Sequence, residues 1–241
     1  MLKLNPGKTH VMTIGTEQRL RTRREHLEVI MDGVVLQEDP SNEEVLLGCH
    51  IQSNMKWSKQ YCSLMLKLKK RVAGLEKIKY VVPFSVRKVI AEGVFNSVLI
   101  YCLPLFDGTE KVHIRNLQIL QNRVTQIVCR APPRTNRVFL LDKLGWMSVA
   151  QLIAYHTLLA IFKMKQTNEP EYLAEFLNTE SRNGRIFLPN FQLQISQKSF
   201  LYRGSCLWNS LPFEIRRKRS MEPFKTSLKT WVKSNISQFV D

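Results

Sequence analysis

Apolar side chains at Trp57, Tyr61, Leu64, Leu68, Val72, Leu75 and Ile78 step along the chain by threes and fours. That is one stripe of an amphipathic α-helix, and a stripe this long has to be covered by other elements. The charged positions off the stripe are nearly all basic: Lys59, Lys67, Lys69, Lys70, Arg71, Lys77 and Lys79, with Glu76 alone opposing them. A charge run on a helix is usually a solvated face. Here the face carries almost one sign, which solubility does not require. A helix apolar on one side and cationic on the other packs down on a fold and offers ammonium groups to phosphates without reading bases. The whole sequence leans the same way, with 36 Lys and Arg against 20 Asp and Glu and a formal charge of +16. Such an excess favours polyanion partners through counterion release, with non-specific nucleic-acid affinity of about 10⁻⁴ to 10⁻⁶ M at physiological salt.

Upstream of this helix the signals are those of strands. Val11, Met12 and Ile14 follow a Pro6-Gly7 turn and predict a short strand after Thr9. Val29-Ile30-Met31 and Val34-Val35-Leu36 flank Asp32-Gly33, a preferred two-residue hairpin turn because both central residues take positive φ. Glu38-Asp39-Pro40-Ser41-Asn42 reads as a polar loop. Val45-Leu46-Leu47-Gly48-Cys49-His50-Ile51 reads as an apolar strand whose internal glycine marks a bulge or a close backbone approach.

Downstream the period is helical. Ser85 is placed to cap a helix over 86–103 that Pro104 ends, and a second helix begins at Thr109 and stops at Pro132-Pro133. A short helix over 137–144 has Gly145 as its stop, Ser148 starts a long apolar helix, and Pro170 opens another short one. Residues 179–184 are a polar linker, and Phe191-Gln192-Leu193-Gln194-Ile195 alternates as a half-buried strand does. The fold class expected is mainly α (α+β), with a small N-terminal antiparallel sheet followed by helices. A 44% hydrophobic content is enough for a core in one or two domains.

Four fragments, in order, cover nearly the whole chain. They are Leu2-Lys3-Leu4-Asn5-Pro6-Gly7-Lys8-Thr9 before an apolar strand; Leu47-Gly48 before Lys56-Trp57; and Tyr101-Cys102-Leu103-Pro104 before Leu117-Gln118-Ile119-Leu120-Gln121-Asn122-Arg123. The fourth is Trp208-Asn209-Ser210-Leu211-Pro212, then Ile215-Arg216, then Ser220 with Phe224-Lys225 and Leu228-Lys229. This set resembles the C-terminal part of the reverse transcriptases of non-LTR (LINE-type) retrotransposons. The resemblance implies the end of a palm with a primer-grip-like hairpin over 1–52, a helical thumb and connection over 53–180, and a strand-plus-helix region over 181–241. It implies an RNA-directed DNA polymerase as the parent activity and RNA or DNA, bound without sequence preference, as the partner. Lys8 matches the lysine thought to protonate the departing pyrophosphate. Gly48 either lets backbone approach primer phosphates or is a structural bulge. Lys59, Lys67, Lys70, Arg71 and Lys77 lie on the thumb helix. Arg216, Arg217, Lys218 and Arg219 form a basic cluster, read either as a phosphate-binding or nuclear-import patch or as a solvated loop.

The same resemblance marks what this sequence lacks. The Tyr-x-Asp-Asp segment that holds catalytic Mg²⁺ is nowhere in it, and Asp32, Asp39, Asp107 and Asp142 stand apart from one another. Two-metal phosphoryl transfer needs clustered carboxylates. The chain alone is therefore expected to be a truncated, inactive product with a vestigial Lys8, no metal site and no cofactor, since Mg²⁺ would require upstream palm aspartates. Two alternatives stay open: one part of a polymerase completed by an upstream fragment, or a helical protein-interaction module whose charge is incidental.

Other chemistries fall away. Gly7-Lys8-Thr9 does not make a phosphate-binding loop, because Leu2 stands where its first glycine is needed and a strand follows instead of a helix. The five cysteines are widely spaced without a Cys-x-x-Cys pair, and read as small buried hydrophobes in a reducing compartment. His156, between Ala154 and Leu158, reads as a core or boundary residue. The apolar run over 98–106 is too short to span a bilayer and the N-terminus lacks a signal-peptide core, so a soluble, intracellular protein with no membrane partner is expected.

Overall fold

The computed structural model describes residues 5, 9–23, 28–31, 33–36, 38, 42–188 and 190–236. The chain forms two units, Met1–Met65 and Leu66–Asp241. In the first, α1 (Glu17–Thr22) is capped by the Thr16 hydroxyl, which accepts from the Arg19 amide. The hairpin expected around Gly33 is present: β1 (Val29–Met31) pairs antiparallel with β2 (Val34–Leu36), Ile30 opposite Val35. Gly33, at φ +78°, lies in the connection, and Asp32 falls outside the described residues.

The expected strand over 45–51 is corrected. It is a second hairpin, β3 (Glu43–Leu46) with β4 (Cys49–Gln52), and Leu46 pairs with Cys49 across the turn. Leu47 and Gly48, at φ +50° and +78°, are the two turn residues, which is the positive-φ pairing that matches strand twist. A side chain built on Gly48 meets nothing within 4 Å, so its φ explains the glycine and no bulge is involved. Among the described residues the N-terminal strands form two separate two-stranded antiparallel sheets. The strand expected after Thr9 is reduced to one isolated bridge, Val11 to Glu38.

The first unit has a thin core, with Leu36, Cys49 and Leu64 among its buried apolar side chains. Polar ties add to it. The Arg23 guanidinium donates to Glu38 at 2.9 Å and to Thr13 Oγ1 at 2.6 Å, and Lys56 pairs with Glu17 at 2.8 Å.

α2 (Ser58–Ile78) runs from the first unit into the second. Gln52 Oε1 caps its start, accepting from the Lys59 amide and the Ser58 hydroxyl. Its stripe is buried as expected at Leu64, Leu68 and Leu75.

In the second unit the helix expected over 86–103 is broken into α3 (Phe84–Ala91), a π-helical turn (Glu92–Asn96) and α4 (Ser97–Ile100). Pro83, not Ser85, is the N-cap residue, and Cys102 turns the chain at φ +57° into a 3₁₀ segment, Leu103–Gly108. α5 (Lys111–Cys129) ends at Arg130, φ +49°, ahead of the two prolines. α6 (Arg137–Leu144) stops at Gly145, as expected. α7 (Val149–Thr167) opens with a reciprocal Ser148–Gln151 capping box. α8 (Glu171–Asn178) follows Pro170. The strand expected at 191–195 is corrected to coil and a short helix, α9 (Gln194–Gln197), with Leu193 exposed. α10 (Phe200–Ser210), α11 (Phe213–Arg216) and α12 (Met221–Asn235) complete the chain.

α7 is the hub, packed against the 3₁₀ segment, α5, α8, α10 and α12. Phe162 stacks on Phe224 at 3.9 Å, with Trp208 alongside. Two of the motifs quoted above build this core. Gln118 Nε2 donates to Gln121 and Asn122, Gln121 Nε2 donates to the Met147 carbonyl, and Gln118 Oε1 accepts from the Val149 amide, a buried amide network that fixes α5 to the start of α7. Trp208 Nε1 donates to the Gly184 carbonyl, and the Asn209 amide pairs with both backbone groups of Ile186 at 2.8 Å. Among the described residues no single helix is long and apolar enough to cross a membrane.

Candidate nucleic-acid interface

At 100° per residue, Lys70 and Lys77 stand opposite the buried Leu68 and Leu75, with Lys67 and Arg71 on one flank. All four are exposed, as is Lys69, and none has an acidic partner among the described residues. From Lys67 to Lys77 the face runs about 15 Å at the helical rise. The opposing acid of the sequence does not neutralise it, because Glu76 pairs with Arg123 of α5 at 3.0 Å. Lys59 differs from the other four: it pairs with Glu43 at 3.3 Å, beside His50 at 2.7 Å. The His50 hydrogen bond, then Lys59, holds the Glu43 carboxyl below its usual range.

The turn from α2 to α3 carries charge that the sequence reading missed. Arg87 is buried, and its guanidinium donates to the Val128, Lys79 and Val82 carbonyls. Arg130 donates to Lys79 O at 2.9 Å and Val82 O at 3.3 Å. Neither arginine meets a carboxylate among the described residues. Burial, then the neighbouring Arg130, pushes the Arg87 pKa down. Tyr80, in the same turn, is 75% exposed. Its ring lies 5.1 Å from Lys79 Nζ and 5.6 Å from Arg130 Cζ. No periodicity marks a single aromatic at a helix end, so only the fold brings these groups together.

The C-terminal basic cluster divides. Arg217, Lys218 and Arg219 face solvent, with Arg217 over the Phe213 ring at 5.1 Å. Arg216 is partly buried; its Nε and Nη1 have no hydrogen-bond partner, and burial followed by Arg185 lowers its pKa. It is not a free surface cation. Gly48 sits at the hairpin turn described above, and Lys8 lies outside the described residues.

His156 is a half-buried residue of α7, set edge-on to Tyr155 at 5.4 Å, and burial lowers its pKa. All five cysteines are free; Cys49 is buried while Cys62 and Cys206 are exposed, which corrects the reading of all five as buried. Among the described residues no three His, Cys, Asp or Glu side chains gather into a metal-binding group. Comparison of the chain with protein-family models, curated proteins and solved structures gives no match.

Proposed function

We propose that this chain binds RNA or DNA without sequence preference, and that it is the thumb-bearing part of a LINE-type reverse transcriptase that supplies no metal-binding carboxylates of its own. The observation that carries the reading is the α2 face. Lys70 and Lys77, opposite the buried leucines, and Lys67 and Arg71, on one flank, are exposed and without acidic partners among the described residues. Such a face holds phosphates by charge alone, so binding is non-specific and salt-sensitive. Arg217, Lys218 and Arg219 add a second phosphate-contacting patch. Binding of a labelled single strand, titrated against salt, tests the reading, and a flat response refutes it. Primer extension on an RNA template with Mg²⁺ should yield no product from this chain, and measurable synthesis would overturn the assignment.

A second reading, that an upstream polymerase fragment completes the chain, draws support from the first unit. Its hairpins leave Ile30, Val35, Val45, Leu46 and Leu47 exposed, between 51% and 84%, and isolated two-stranded hairpins are marginal in water. Co-expression with a palm fragment and co-purification test it; no association would dismiss it.

A further inference from the structure

We infer that Tyr80 is a stacking platform for an unpaired base, so that this surface holds single-stranded nucleic acid in preference to duplex. The inference rests on the nucleic-acid reading above and adds a second recognition chemistry to it. Tyr80 is large, aromatic and 75% exposed in a turn whose Lys79, Val81 and Val82 amides donate back to the carbonyls of Glu76 and Ile78. Arg87 and Arg130 both donate to the carbonyls of Lys79 and Val82, the residues on either side of Tyr80 and Val81. An aromatic on a fixed turn loses little freedom when a ligand covers it, which favours binding.

The charges around it select the ligand. Lys79 Nζ and Arg130 Cζ lie 5.1 and 5.6 Å from the ring centroid. Arg87, buried beneath the turn, also has no carboxylate partner among the described residues. Two positive charges lie over one exposed aromatic ring, with the Arg87 charge bonded to the turn that carries it, a pairing of cations and π-surface that suits a phosphate and its base. Lys79 is tethered to the ring only by a weak cation–π contact, so its ammonium can move to phosphate as a base takes its place. Phe84, at the start of α3, repeats the pattern with Lys143 Nζ at 5.9 Å. Lys77, three residues before Tyr80, leads from the α2 lysines to the platform. In a duplex the bases already stack on one another and do not reach the ring; in a single strand every base has a free π-face.

The test compares the full chain with its Tyr80→Ala and Tyr80→Phe variants. Fluorescence anisotropy is read on a ribo- and a deoxyribo-oligonucleotide and on a hairpin duplex of equal length. Tyr80→Ala should weaken single-strand binding about 5- to 150-fold, the range for one lost base stack. It should leave duplex binding unchanged, and Tyr80→Phe should retain affinity. The salt slope should not move, because no charge is removed. An equal loss on duplex, or an equal Tyr80-dependent loss on poly-glutamate, overturns the stacking assignment, the latter in favour of an acidic-peptide site. Wild-type affinity for the single strand in Tyr80→Ala overturns it while sparing the nucleic-acid reading. Failure of the unmodified chain to bind any oligonucleotide overturns that reading itself. The exposed ring makes Tyr80→Ala benign to folding, which thermal melts verify.

Discussion

Replacing Lys67, Lys70 and Lys77 together by glutamine removes three of the four unpartnered cations on this side of α2 and leaves Arg71, with Lys69 on the other flank. Each phosphate contact on a single strand contributes about −0.7 to the slope of log affinity against log salt. Four contacts give a slope of about −2.8, and a fourfold rise in salt then weakens binding about 50-fold. With Arg71 alone the face contributes about −0.7, less than a threefold loss over the same range. Arg217, Lys218, Arg219 and other cations add to both proteins alike, so the quantity to read is the difference in slope, about 2. The assay is anisotropy of a labelled single strand titrated from about 50 to about 200 mM salt. The three side chains are exposed and unpaired among the described residues, so stability should change by no more than about 0.5 kcal/mol. An unchanged slope in a folded triple variant would refute the claim that this face touches phosphate.

Other substitutions probe the scaffold. Leu68→Ala, at a fully buried position of the α2 stripe, should cost about 2–5 kcal/mol in urea unfolding. Gly48→Ala, at φ +78°, should destabilise the second hairpin by about 1–2 kcal/mol while leaving oligonucleotide affinity intact, since the glycine serves the turn. A loss of affinity beyond the loss of stability would instead return Gly48 to the binding surface. Burial keeps the His156 imidazole below its ordinary pKa of 6.5, so the unfolded chain takes up that proton first as the pH falls. Its contribution to stability is therefore present above pH 6.5 and lost as the pH drops through the folded pKa. Thermal melts of His156→Gln should show a weaker acid-side decline than the parent, and identical profiles would exclude the assignment.

Where one period dominates, the sequence announces the element. The α2 stripe, the Gly145 stop after α6 and the Ser148 cap of α7 all appear where patterning put them. Short elements mislead for identifiable reasons. Leu47-Gly48 looks like the middle of an apolar strand because leucine at positive φ is rare, so the turn had no recognisable signature before the glycine. Phe191 to Ile195 alternates over too few residues to separate a strand from a helical turn. The π-helical turn within 92–96 leaves no mark in a pattern of threes and fours. The cationic face was legible because it is periodic. The stapled turn was not, because Arg87, Arg130 and Tyr80 are distant in sequence or lone in pattern, and only the packing of α3 against α5 assembles them.

Photocrosslinking a thiouridine-substituted single strand to the intact chain, with the modified peptides located by mass spectrometry, asks most directly which surface holds nucleic acid. Crosslinks concentrated between residues 67 and 80, and absent from the buried helix α7, are the predicted result. Crosslinks that spare that segment and fall elsewhere on the chain would contradict the account.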